Sequence, residues 1–167
     1  MKEHGVGAST FSDWWAYKFE VNDAIPFNGP IMHNAGLVVA YNSDDAEMSR
    51  RLNQEAAKAV KYGNISEEDA WKFVTLNPAK LLHIDDKVGS IKVGKDADMV
   101  LWNANPLSIY AKAEKTLIEG VVYYDAQKDA EQRVAIAKER NELIGQLLQE
   151  KNKVWNEELE RWFKEYP

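Results

Sequence analysis

"GLVVAYNSDDAEMSRRLNQEA", residues 36–56, is the stretch on which the fold turns. Its apolar run, "LVVAY" at 37–41, suits a strand covered on both faces, as in parallel α/β sheets. A helix is expected from about Ala46 to Tyr62, with Met48, Leu52, Ala56, Ala59 and Val60 on one face and Gly63 as its stop. Arg50, Arg51, Lys58 and Lys61 fall elsewhere on that helix. Ser43, Asp44 and Asp45 occupy the join, and two readings of them stay open. In one, Ser43 or Asp44 is an N-cap and Asp45 a partner of the helix dipole. In the other, Asp44 sits just past the C-terminal end of a buried strand, where α/β barrels and open sheets place catalytic groups.

Working outward, "VGASTFS" at 6–12 is small and tolerant of β structure, and Gly5 reads as the stop of a helix whose body precedes Met1. Residues 22–35 suit a short, proline-interrupted helix that Gly36 ends. "SEED" at 66–69 is a capping-box pattern opening a helix through Leu76, and "NP" at 77–78 opens another with Pro78 in the first helical position. After Asp85 the period changes: "GSIKVGKDADMVLWN" reads as strand, turn, strand, and "KTLIEGVVYYD" as a strand pair bent at Gly120.

From about Ala126, turn signals vanish apart from Gly145, and a long helix is expected. Ala130, Val134, Ala137, Asn141, Ile144, Leu148, Lys151, Trp155, Glu158 and Trp162 form one 3.5-spaced seam. Its three polar members favour packing against the body of the protein over a pure coiled coil. The expected organisation is therefore α/β in three parts: 1–84, a small β unit over 85–125, and a helical extension over 126–167.

Composition narrows the function classes. A net charge of −6 with acids and bases mixed gives no basic stripe for nucleic acid or anionic lipid. No segment approaches the apolar length of a membrane span, and no signal-peptide core follows Met1, so a soluble chain is expected. The absence of cysteine excludes disulfides, thiolate metal sites and cysteine nucleophiles, and leaves the compartment open. Cytoplasmic and periplasmic or secreted locations both stay possible, the latter with a signal peptide upstream.

His4, His33 and His83 share none of the spacings of a hydrolytic metal site, and each falls in the expected last turn of a helix, where an imidazolium gains from the dipole. In "SDWWAYKFE" at 12–20, Trp14, Trp15 and Tyr17 either wall a pocket, with Asp13 or Lys18 reaching a polar group, or fill space between loops.

Five segments in order, "GVGASTFSDWWAYKFE", "NGPIMHNAGLVVAYNSDD", "LNQEAAKAVKYG", "VTLNPAKLLHIDDKVGSIKVGKDADMVLWNANPL" and "EGVVYYD", resemble the C-terminal part of a metal-dependent amidohydrolase of the imidazolonepropionase-like group. The resemblance covers residues 1 to about 125. It implies the C-terminal part of a TIM-type (β/α)8 barrel, strands 7 and 8 with their helices, plus part of a flanking β-sandwich. It also implies hydrolysis of a C–N bond in a cyclic amide or peptide-like small molecule. Asp44 matches the strand-8 Asp, implied to be a metal ligand and the acid/base that moves the proton of the attacking water. Trp14, Tyr17 and Lys18 match the loop after strand 7 and are candidate substrate-binding residues. The implied cofactor is a divalent metal, zinc by the family pattern.

The family's H-x-H pair, its Lys or Glu after strand 4 and its later histidines would all precede Met1. The resemblance thus implies that this chain alone is inactive and holds no metal by itself. The alternative is a non-catalytic binding or assembly module, a homo-oligomer acting through the aromatic loop and the C-terminal helix.

Overall fold

The computed structural model describes residues 1–165, in two compact units that divide after Tyr124. In the first unit, β1 (Ala8–Thr10) leads through an irregular loop to α1 (Asn28–Asn34), β2 (Val39–Tyr41) and α2 (Leu52–Gly63). Two short helices follow, α3 (Glu67–Lys72) and α4 (Leu76–Leu81), then the strands β3 (Met99–Trp102), β4 (Ala113–Ile118) and β5 (Val121–Asp125). The second unit is essentially one helix, α5 (Ala126–Glu165).

β1 and β2 run parallel, pairing Ala8 with Val39, Ser9 with Ala40 and Thr10 with Tyr41. β2 is shorter than the apolar run expected to form it: Leu37 and Val38 precede the strand and Val38 is exposed, whereas Val39–Tyr41 are all buried, and the core gathers around Val39, Tyr41, Ala59, Ile65, Ala70 and Phe73. Tyr41 meets Phe73 edge to face at 5.1 Å. These two strands make a parallel αβ layer; they do not by themselves make a barrel.

A lone buried strand pair would leave β2 with an open edge, the expected weakness of this segment. The edge is instead filled without a strand. The Tyr41 amide donates to the Phe73 carbonyl at 2.8 Å, and the Asn77 side-chain amide donates to the Val39 carbonyl at 2.8 Å. Asn77 therefore does not cap a helix as the "NP" pattern suggested. α4 begins two residues earlier than expected, at Leu76, so Pro78 is its third residue, and the Asn77 side chain is turned inward.

Other boundaries also shift. The first helix begins only at Asn28, because Pro26 and the turns before it keep residues 22–27 irregular. A 3-10 turn over Met48–Arg51 precedes α2, and Asn64, left-handed at φ 51°, rather than Gly63, closes it. α3 opens on Ser66, whose hydroxyl accepts from the Asp69 amide at 3.1 Å, but ends at Lys72 rather than Leu76.

The expected strand around Ile91 and Val93 does not form; both side chains are exposed, with no neighbouring strand beside them among the described residues. The rest of the β unit is as expected: β3, β4 and β5 form a three-stranded sheet, β3 antiparallel to β4. The two-residue turn between β4 and β5 has φ of 49° at Glu119 and 79° at Gly120. Positive φ at both central residues is the type I′ geometry that glycine favours. None of the described residues of α5 is buried. No described helix is long and apolar enough to cross a membrane.

Candidate functional site

Because β1 and β2 are parallel, both end on the same edge of the layer, and the Asn42 amide still donates to the Thr10 carbonyl there at 3.0 Å. The chain leaving β2 then divides its polar residues between two tasks. The Asp45 carboxylate accepts from the Glu47 amide at 2.9 Å and the Met48 amide at 2.8 Å, satisfying the free donors that open the following turn. Ser43 is buried, and its hydroxyl donates to the Asp45 carbonyl at 3.4 Å.

Asp44 takes no part in that cap. It is exposed and held at φ 47°, a left-handed conformation that Asp tolerates better than most residues but that still carries a cost of about 1 kcal/mol.

The loop after β1 is anchored from beneath. The buried Ser12 hydroxyl donates to the Glu55 carboxylate, itself only 1% exposed, and Lys58 of the same helix joins the group. Lys58 Nζ lies 2.9 Å from Glu55 Oε1 and 2.7 Å from Asp13 Oδ1. Burial pulls the Lys58 ammonium down, but its bonds to Asp13 and Glu55 outweigh that and hold it above the ordinary lysine range. The Tyr41 phenol is pushed well up, first by burial and then by the charges of Glu55 and Asp13.

This Ser12–Glu55–Lys58–Asp13 network was not foreseen from sequence. One signal for it existed: Glu55 and Lys58 sit three residues apart beside Leu52, Ala56 and Ala59, an acid and a base bordering an apolar stripe. Of the two polar candidates in the loop, Asp13 is bound to Lys58, whereas Lys18 is exposed. Trp14 stacks on Phe11 at 4.7 Å and meets Tyr17 edge-on at 5.7 Å, so two of the candidate substrate-binding residues share one aromatic cluster. Tyr17 is 71% exposed. Among the described residues, no hydrogen bond or ion pair joins Asp44 to Trp14, Tyr17 or Lys18.

Asp44 stands apart from other candidate metal-binding side chains. No group of three or more His, Asp or Glu side chains that could hold an ion occurs among the described residues. His33 packs on Phe73 at 5.3 Å at the end of α1, and His83 follows α4 at φ 56°, both in the helix-end positions expected of them. A groove of about 520 Å³ lies along α2 between Lys58, Lys61 and Tyr62 on one side and Asn105, Leu107 and Ile109 on the other. A second hollow of about 400 Å³ lies by Asp85, Asp86, Lys92 and Lys95. Neither is lined by Asp44 or the aromatic loop.

Comparison with known proteins supplies what one carboxylate cannot. Residues 28–130, more than half of the chain, match the amidohydrolase family. The protein named amidohydrolase tasK, from Hapsidospora irregularis, is 34% identical over 116 residues, 69% of this chain and 12% of its own length. An imidazolonepropionase of Picrophilus torridus is 43% identical over 70 residues, 41% of this chain and 18% of its own. A solved amidohydrolase from Thermotoga maritima superposes with a TM-score of 0.64 at 31% identity, over 74% of this chain and 32% of its own. This chain thus spans about a third or less of each protein it matches here. The parallel strands, the acid at the end of β2 and these likenesses agree: the chain belongs to the amidohydrolase family.

Proposed function

We propose that this chain is the C-terminal portion of a metal-dependent hydrolase that cleaves a non-peptide C–N bond in a cyclic amide or peptide-like small molecule. The observation that carries this reading is the division of labour after β2. Asp45 alone caps the next turn, leaving the Asp44 carboxylate exposed, on a left-handed backbone and outside the cap. A divalent metal, zinc by the family pattern, supplies a water of lowered pKa in such enzymes. Asp44 would be one of its ligands, and its carboxylate oxygen would hold the proton passed between water and the leaving nitrogen.

The described residues provide that one ligand and not the three or more that such a site needs, so the other ligands come from outside them and this chain alone shows no turnover. Trp14 and Tyr17 form the wall against which an amide substrate packs, and Lys18 reaches its polar end.

The test is a chimera in which residues 6–125 replace the matching segment of the Thermotoga amidohydrolase. Retained hydrolysis that Asp44→Asn lowers by about 10²-fold or more, a magnitude typical of a proton-transfer group, supports the reading. Equal activity of the chimera and its Asp44→Asn variant refutes it. A second reading, an assembly module, is favoured by the exposed apolar side chains of α5, including Val134, Leu148 and Trp155.

A further inference from the structure

Ser12 and Ala24 are buried at the two ends of the loop that carries the aromatic cluster, and none of residues 13–23 between them is. The neck of the loop closes where the Trp15 amide donates to the Ala24 carbonyl at 3.2 Å, and the Tyr17 amide donates to the Trp14 carbonyl at 2.9 Å. With no buried side chain of its own, such a loop takes its position from its anchors. At the entry the anchor is polar. Ser12 is fully buried against the Glu55 carboxylate, and the next residue, Asp13, accepts from Lys58 three positions along the same helix. We propose that Glu55 and Lys58 are positioning residues: gripping Ser12 and Asp13 from α2, they fix how the chain enters Trp14 and so place the wall against which substrate packs. What the wall does rests on the hydrolase reading; the grip itself does not.

Stability alone does not account for this arrangement. An apolar side chain at position 55 would fill the space without stripping a carboxylate of water, a cost that a buried ion pair often fails to recover. An apolar contact lacks direction, however. Bonds from two consecutive loop residues to two side chains on one helix fix orientation as well as distance. Trp14 follows at once, stacked on Phe11. α2 also serves the other part of the candidate site, because the Met48–Arg51 turn that Asp45 caps runs directly into it at Leu52. One helix is thus the common base of the aromatic wall and of the segment that carries Asp44.

Lys58 Nζ also lies 2.9 Å from Glu55 Oε1, so the loop can be untied while the helix keeps its own ion pair. In the full chain, Ser12→Ala with Asp13→Ala should make the Trp15 and Tyr17 amides exchange about tenfold faster relative to the Tyr41 amide of β2, by local opening of the loop. Asp13→Ala alone alters only a partly exposed residue and should give the same change in smaller degree. In the Thermotoga chimera the double variant should raise KM about tenfold while kcat falls less than about threefold, the pattern of lost binding common to ground and transition states. Equal acceleration of all three amides, or none, would overturn the grip. A fall in kcat with KM unmoved would overturn its link to the substrate wall. The exchange result decides the grip whether or not the chimera turns over, and Asp44→Asn decides the hydrolase reading, so the two can fail separately.

Discussion

β2 and the β3–β5 sheet are built from similar apolar runs and have opposite fates. "VAY" is buried throughout, enclosed by β1, α1, α2 and α4, and its second edge is closed by Phe73 and Asn77. In the sheet, by contrast, Val100, Leu101, Val122 and Tyr123 are all exposed. The difference shows that an apolar run specifies a strand, whereas its burial is set by which neighbours supply both a covering face and hydrogen-bond partners for the edge.

The contrast is broken most severely at Phe73, which is fully buried against Tyr41. Phe73→Ala should cost about 3–5 kcal/mol, read from the urea midpoint, whereas Val122→Ala in the open sheet should stay within about 0.5 kcal/mol. Equal losses at the two sites would erase the distinction.

Next in size is the network under the β1 loop. Lys58→Met leaves the Glu55 carboxylate buried with Ser12 but without its cation. The expected loss is about 2–3 kcal/mol, discounted from the range for fully buried pairs because Lys58 reaches solvent. Glu55→Gln combined with Lys58→Met should recover part of that loss.

The edge of β2 is tested by Asn77→Ala, which strips the Val39 carbonyl of a donor and should cost about 1–2 kcal/mol. Hydrogen exchange of the β2 amides should rise in that variant.

A smaller effect is expected at the surface cap of α3. Bonds from Lys72 and then Ser66 hold the Asp69 carboxyl below its ordinary 3.8. A lowered folded-state pKa means the stabilisation is present above 3.8 and is lost as pH falls through the folded value. The stability gap between wild type and Asp69→Asn should therefore be full near neutral pH and close progressively below 3.8.

The smallest change in stability is expected at Asp44. Asp44→Gly relieves the left-handed backbone and should leave the chain unchanged or more stable by up to about 1 kcal/mol, while removing the carboxylate. A loss of more than about 1 kcal/mol would mean that the acid serves the fold rather than a site.

Much of this was legible in the chain itself where the determining contacts are local. Ser66 and Asp69 are three residues apart, and that cap followed from spacing, whereas at the join after β2 the cap expected of Ser43 or Asp44 is made by Asp45. The turn at Glu119–Gly120 was legible for the same reason. Local pattern misled at Asn77, where a helix-opening dipeptide was diverted to a carbonyl 38 positions away. It misled again at Ile91 and Val93, where strand propensity had no neighbouring strand to pair with among the described residues.

The sequence by itself determined the family, the parallel layer announced by "LVVAY" and the long 3.5-spaced seam, because each rests on residue order over short spans. Only the tertiary structure decided which of two adjacent acids is consumed by a cap, what closes the far edge of β2, and that Ser12 reaches Glu55 across 43 positions. Those outcomes depend on desolvated groups finding partners distant in the chain, and the burial that forces the pairing exists only once the layers have packed.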